Sequence, residues 1–197
     1  MADAPPIHPN TMTAIRLPLA PLAIGFLLMG NVWGTVIAAL LSLVLEFTDL
    51  ADGWIARRYN VVSDFGSLFD PFADAFCRFT LFLGIYAIGK ADLWMILLIF
   101  YRDSSIAFIR SIAATRNTII SARPSGKFKA IIQGVGTQVC YIAIVLVKLF
   151  PGQAAIFDPI PWWTMLFITL VTGASLIDYM LGTREIIRSA WLDEHGR

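Results

Sequence analysis

Asp49 and Asp52 stand three residues apart, and Asp70 and Asp74 four apart, in a chain that is otherwise heavily apolar. Either spacing puts both carboxylates of a pair on one face of a helix. A charge inside a membrane helix costs ~2.5–3.5 kcal/mol on insertion scales, and four carboxylates facing one another also repel. Divalent cations answer both difficulties. An all-oxygen ligand set suits magnesium or manganese and disfavours zinc. Four carboxylates suffice to bridge two ions, and a two-ion site neutralises the oxygens of a transferring phosphate. The expected chemistry is therefore phosphoryl transfer, with two divalent cations, Mg2+ or Mn2+, as cofactors. Gly53, Ala56 and Gly66 remove side-chain bulk beside the acids, so a bulky ligand can come close. Arg57 can pair with a phosphate, and Ser63 can donate a hydrogen bond. A purely structural reading would pair the acids with Arg57, Arg58 and Arg78 and use the small residues for helix packing. It leaves four inward acids with too few basic partners.

The elements that must position these residues are membrane helices. Of the 197 residues, 57% are hydrophobic and 15% charged, and the mean hydropathy is +0.71, more apolar than a soluble domain. Several apolar runs approach the ~20 residues that cross a bilayer. The expected fold is an all-α integral membrane protein, one domain over residues 1–197, with six transmembrane helices and a short N-terminal interfacial segment. The spans fall at roughly 11–29, 33–59, 66–88, 93–115, 127–150 and 161–187. Gly30-Asn31, Gly89-Lys90 and Pro151-Gly152 punctuate them. The connection RRYNVVSD is short, so the second and third spans are expected to be antiparallel neighbours whose four aspartates converge near the membrane surface. The opening MADAPPIHPN has no basic region, so no signal peptide is expected. Arg57, Arg58, Arg116, Arg123, Lys127, Lys129, Arg184, Arg188 and Arg197 all fall on one side of a six-span chain, against Lys90 and Lys148 on the other. That bias predicts a multi-pass protein of the inner (cytoplasmic) membrane, with both termini and the acids facing the cytoplasm. Cys77 and Cys140 lie inside apolar runs, so neither a disulfide framework nor a cysteine metal site is expected. His8 and His195, near the termini, read as solvated surface residues, and no nucleic-acid partner is expected.

The pattern D-x2-D-G-x2-A-R-x8-G-x3-D-x3-D resembles the signature of the CDP-alcohol phosphotransferase family. Asp49, Asp52, Gly53, Ala56, Arg57, Gly66, Asp70 and Asp74 fill every fixed position. The resemblance implies a six-helix integral membrane enzyme, of a kind that is often a homodimer. Such enzymes transfer a phosphoalcohol group from a CDP-linked donor to an acceptor hydroxyl and release CMP. It further implies that Asp49, Asp52, Asp70 and Asp74 hold the metals, that Asp74 is the catalytic general base, and that Gly53, Ala56, Arg57, Ser63 and Gly66 line the donor. Arg78, one turn after Asp74, would either orient it or serve as a packing ion pair.

Two further stretches bear on the substrates. Pro9, Asn10, Thr13 and Arg16 resemble the P-N-x-x-T-x-x-R opening of bacterial phosphatidylglycerophosphate synthases. Asn10, Thr13 and Arg16 sit at helical spacing and either cap the first helix or line the nucleotide site. Arg102 interrupts an apolar run, which makes it a functional candidate; Arg110 follows two turns later on nearly the same face, and Arg123 and Lys127 follow in ARPSGKFKAIIQ. Arginines and lysines facing a cavity suit a phosphorylated acceptor. Arg116 and Lys129 are accounted for as ordinary basic loop residues. The fragments R-D/E-x7-R and S-x-G-K-x-K-x3-Q also resemble those of phosphatidylglycerophosphate synthases. They imply CDP-diacylglycerol and sn-glycerol 3-phosphate as substrates among the membrane lipids, with Arg102, Arg110 and Lys127 on the acceptor phosphate. Three positions depart from that pattern: Ala75 follows the last aspartate where lysine is usual, Asp103 replaces glutamate, and Ala130 replaces threonine.

Rival readings are the same chemistry on inositol phosphate, serine or phosphatidylglycerol, and a non-enzymatic divalent-cation transporter. Serine carries no phosphate and would not need Arg102, Arg110 and Lys127 together. A pore would spread its acids along a path at several depths, with no use for glycines and an arginine among them.

Overall fold

The computed structural model describes the backbone of residues 9–59, 64–115 and 123–195. Within these, the side chains of 9, 52–54, 56, 57, 64, 67, 68, 114, 115, 186, 187 and 189–195 are outside the description. The described chain is all helix: α1 (Pro9–Leu28), α2 (Val32–Tyr59), α3 (Asp64–Ala87), α4 (Leu93–Thr115), α5 (Pro124–Leu149), a 3-10 turn (Pro151–Gln153), α6 (Ala154–Phe157) and α7 (Ile160–His195). Among the described residues four stretches are long and apolar enough to cross a membrane: Asn10–Leu28, Val32–Ala51, Pro124–Leu149 and Pro151–Glu185. The protein is thus a multi-pass membrane protein. The two remaining long helices, α3 and α4, carry Asp70, Asp74, Arg78, Arg102, Asp103 and Arg110. It is the number of charges, not a shortage of apolar residues, that sets these two helices apart.

Local chemistry sets the helix ends. Gly30 and Gly89 adopt φ of +69° and +73°, a left-handed conformation that glycine takes without a Cβ penalty. After α3, the Lys90 N–H donates to the Ile85 carbonyl and the Gly89 N–H to the Tyr86 carbonyl, the paired bonds of a Schellman ending. Asn31 caps α2 by accepting the Gly34 N–H at 2.7 Å. All three turn signals read from the sequence mark real helix boundaries: Pro151-Gly152 follows the end of α5 and opens the 3-10 turn.

Helix α1 packs along both α2 and α3; among the described residues α2 and α3 meet each other at few points, Glu46 and Arg78 among them. Helix α1 is slim where it is sandwiched: Ala20 and Ala23 are fully buried, and Ile24 and Leu27 lie against Gly84 of α3. Small residues let membrane helices approach closely. On the other side α5 packs against α2 and α7, and α4 against α7. A Cβ at Gly136 of α5 would stand 2.6 Å from Ile168 Cδ1 of α7, so that crossing depends on a missing side chain. The core joins Phe82, Ile85, Met95, Ile96, Tyr141, Met165 and Ile168. Trp33, Leu40, Ile142, Phe167 and Leu170 face outward, as lipid contact allows.

Candidate active site

The first two turns of α1 carry polar side chains to both acid-bearing helices. Thr13 Oγ1 donates to Asp70 Oδ1 of α3 at 2.9 Å, and Arg16 Nη1 donates to Asp49 Oδ1 of α2. Thr13 and Arg16 are buried almost completely. Asp49 of α2 and Asp70 of α3 are thereby both tied to α1. Asn10 is half-buried at the head of α1, and Gly66 is buried in the first turn of α3. Asp74 lies one turn beyond Asp70, and its Oδ1 accepts from Arg78 Nη2 at 2.6 Å. Arg78 Nη1 also reaches the Ala130 carbonyl of α5 at 3.4 Å and stands 3.8 Å from Glu46 Oε2 of α2. Glu46 lies within electrostatic reach of Asp49, Asp74, Arg16 and Arg78. Asp52, Gly53, Ala56 and Arg57 belong to the last turns of α2, where their side-chain placement lies outside the described part, and Ser63 lies outside the described residues altogether.

Among the described residues, Glu46, Asp49, Asp70 and Asp74 stand with two guanidiniums, Arg16 and Arg78. This surplus of hard oxygen donors, already drawing cationic side chains to themselves, fits Mg2+ or Mn2+. Among the described residues no three of these acids close on a single point; Asp52, the fourth aspartate of the motif, has its side chain outside them.

A second polar group occupies the seam of α4, α5 and α7, and here cations are in surplus. Arg102, buried, donates to Asp103 Oδ1 at 2.8 Å and to Ser175 Oγ at 2.8 Å. Lys129, also buried, donates to both Asp103 oxygens at 2.9 and 3.0 Å. Arg110 donates to the Tyr179 hydroxyl at 3.0 Å. The guanidiniums of Arg102 and Arg110 stand 5.8 and 5.9 Å from the centre of the Tyr179 ring, within cation–π range. The helical spacing that put Arg102 and Arg110 on nearly one face thus brings both to a single tyrosine. One turn deeper, Gln133 Nε2 meets Thr172 Oγ1 at 3.1 Å.

The two lysines of the GKFK stretch part company. Lys127 is exposed, whereas Lys129 is 7% exposed, so the reading of Lys129 as an ordinary basic loop residue is corrected. Arg123 uses both prongs of its guanidinium on Asp178 of α7, at 2.9 Å each, and Ser125 donates to the same carboxylate. A Cβ at Gly182 would overlap the Arg123 head group. These contacts tie the start of α5 to α7. Sequence reading passed over Glu46, Asp178, Ser175 and Tyr179. For Glu46 a signal existed: it sits three residues before Asp49, on the same helix face.

The family model for CDP-alcohol phosphatidyltransferase matches residues 6–174. Two curated proteins named CDP-diacylglycerol–glycerol-3-phosphate 3-phosphatidyltransferase align over most of the chain. The Bacillus subtilis protein is 25% identical over 84% of this chain and 90% of its own length. The Rickettsia typhi protein is 28% identical over 85% of this chain and 93% of its own. A Treponema pallidum protein of the same name is 34% identical over a shorter stretch, 48% of this chain and 44% of its own. With the family match running from the N-terminal turns through the aspartates to the middle of α7, this chain belongs to the CDP-alcohol phosphatidyltransferase family.

Proposed function

We propose that the protein transfers the phosphatidyl group of CDP-diacylglycerol to a hydroxyl of sn-glycerol 3-phosphate and releases CMP. The observation that carries this reading is the meeting of two oppositely charged groups across the first turns of α5. Lys129 turns to the cation-rich seam of Arg102 and Arg110, while the carbonyl of its neighbour Ala130 accepts from Arg78 of the carboxylate-rich group. An anionic acceptor held by the first group comes within range of a donor held by the second. The curated relatives carry the name of this same reaction.

In this mechanism Asp74 takes the proton from the acceptor hydroxyl. The resulting oxygen attacks the phosphorus nearer the lipid, a new P–O bond forms, and the anhydride bond to CMP breaks. The family is generally divalent-cation dependent; bound between Asp49, Asp52, Asp70 and Asp74, two such ions supply charge neutralisation for the diphosphate. Asn10, Thr13, Arg16, Gly53, Ala56, Arg57, Ser63 and Gly66 form the donor side. Arg102 and Arg110 hold the acceptor phosphate with Lys129, while Lys127 stands exposed at the rim. Arg123, through Asp178, keeps the start of α5 in register with α7. All six long helices cross the inner membrane, with the site on the cytoplasmic face where the basic residues gather.

The test is CMP release by the purified protein in lipid nanodiscs with CDP-diacylglycerol, against glycerol 3-phosphate, inositol phosphate and serine, each with Mg2+ and with a chelator. Release that needs both glycerol 3-phosphate and Mg2+ is expected. Faster release with inositol phosphate or serine would overturn the acceptor, and release undiminished by the chelator would overturn the metal site.

A further inference from the structure

Glu46 is a carboxylate outside the aspartate signature, set in the apolar run VIAALLSLVLEF of α2. It is half-buried and faces Arg78. The fold makes room for it on purpose-built terms. A Cβ at Gly134 of α5 would collide with Glu46 Oε1 and stand 3.1 Å from Arg78 Nη1. Glycine lets α5 approach both groups without pushing the Glu46 carboxylate aside. Arg78, 7% exposed, is thereby gripped from three helices: Asp74 on its own helix α3, Glu46 on α2 and the Ala130 carbonyl on α5.

We propose that Glu46 is a positioning residue for the transfer reaction: seated against Gly134, it anchors Arg78, and Arg78 in turn fixes the orientation of the Asp74 carboxylate. This rests on the proposed role of Asp74 as the proton acceptor. The physical argument is one of degrees of freedom. Arginine has a long, rotatable side chain, and a guanidinium held by Asp74 alone would carry the carboxylate with it as it moves. Contacts from α2 and α5 remove that freedom, so Asp74 meets the acceptor in one geometry. Misplacement of a reacting group by about 1 Å can cost about a hundredfold in rate. A trio that joins α2, α3 and α5 would also serve as a staple between helices, and the experiment must separate the two roles.

The variants are Glu46→Gln, Glu46→Asp, Gly134→Ala and Arg78→Lys, with Asp74→Asn as reference. For Glu46→Gln, kcat per folded enzyme is expected to fall about tenfold, in the range seen when outer-shell partners of a site are removed. KM for both substrates should stay within about threefold of the parent, as expected when geometry rather than binding is lost. Glu46→Asp should recover part of the kcat. Gly134→Ala should reproduce the loss by displacing Glu46, although alanine is the better helix former. Glu46→Gln added to Arg78→Lys should cost no more than Arg78→Lys alone, since both act through one chain of contacts. Thermal unfolding in nanodiscs is followed in parallel. If Glu46→Gln lowers Tm yet leaves kcat per folded enzyme unchanged, the trio is a staple and the proposal fails. Full additivity of the two losses overturns it as well. If Asp74→Asn itself keeps wild-type turnover, the base assignment fails; if Asp74→Asn is inactive and Glu46→Gln is fully active, only the positioning role falls.

Discussion

Lys129→Met and Lys127→Ala together test where the acceptor phosphate sits. Lys129 is 7% exposed and donates to both oxygens of Asp103; Lys127 is exposed. Methionine keeps the length of the lysine stem and removes the charge. Asp103 is not orphaned by this change, because Arg102 still donates to it at 2.8 Å. The stability loss should therefore fall near the ~1.5–3 kcal/mol of a hydrogen bond to a charged group, below the ~3–5 kcal/mol of a buried ion left without a partner. The acceptor phosphate loses one charge-assisted donor of the same kind, again ~1.5–3 kcal/mol. That is roughly a tenfold to hundredfold rise in the KM of glycerol 3-phosphate. Removing the exposed Lys127 should change it by about twofold or less, the usual reach of a surface substitution. The assay is CMP release against glycerol 3-phosphate at saturating CDP-diacylglycerol, then the reverse. An equal rise in both substrates' KM for Lys129→Met would refute the pocket, as would a Lys127→Ala effect as large as that of Lys129→Met.

Two further outcomes are expected. Asp74→Asn should abolish turnover while leaving donor binding within about threefold, read by equilibrium binding of CDP-diacylglycerol; retained turnover would remove Asp74 from the proton transfer. Arg123→Ala should lower Tm modestly by freeing the start of α5 from Asp178, with little change in the KM of glycerol 3-phosphate; a large rise in that KM would return Arg123 to the phosphate itself.

The helices were legible because apolar runs of membrane length leave few alternatives, and because Gly30, Asn31 and Gly89 do at the helix ends what their chemistry favours. The aspartates were legible through their spacing. The part of α1 was not: no local pattern announces that Thr13 and Arg16 reach Asp70 and Asp49 on two other helices. Lys129 was readable in retrospect: at intervals of four it aligns with Gln133 and Thr137, all buried, while Phe128, Ile131 and Val135 are exposed. A basic residue in register with a polar interior stripe is not a loop cation. Arg123 shows the opposite limit. Its partner Asp178 lies 55 residues away, and no local pattern announces that pair.

The length of α7 has a consequence for access to the membrane surface. Its 36 residues run about 54 Å at 1.5 Å per residue. A hydrocarbon slab of ~30 Å, crossed at about 40°, the steep end of common tilts, takes up about 39 Å of helix. No less than about 15 Å, some ten residues at that rise, must stand clear of the lipid as a stiff post. With the apolar stretch running to Glu185, the surplus falls at the C-terminal end of α7, about two turns beyond Asp178 and Tyr179. A domain attached beyond α7 would be carried on that post, away from the bilayer plane.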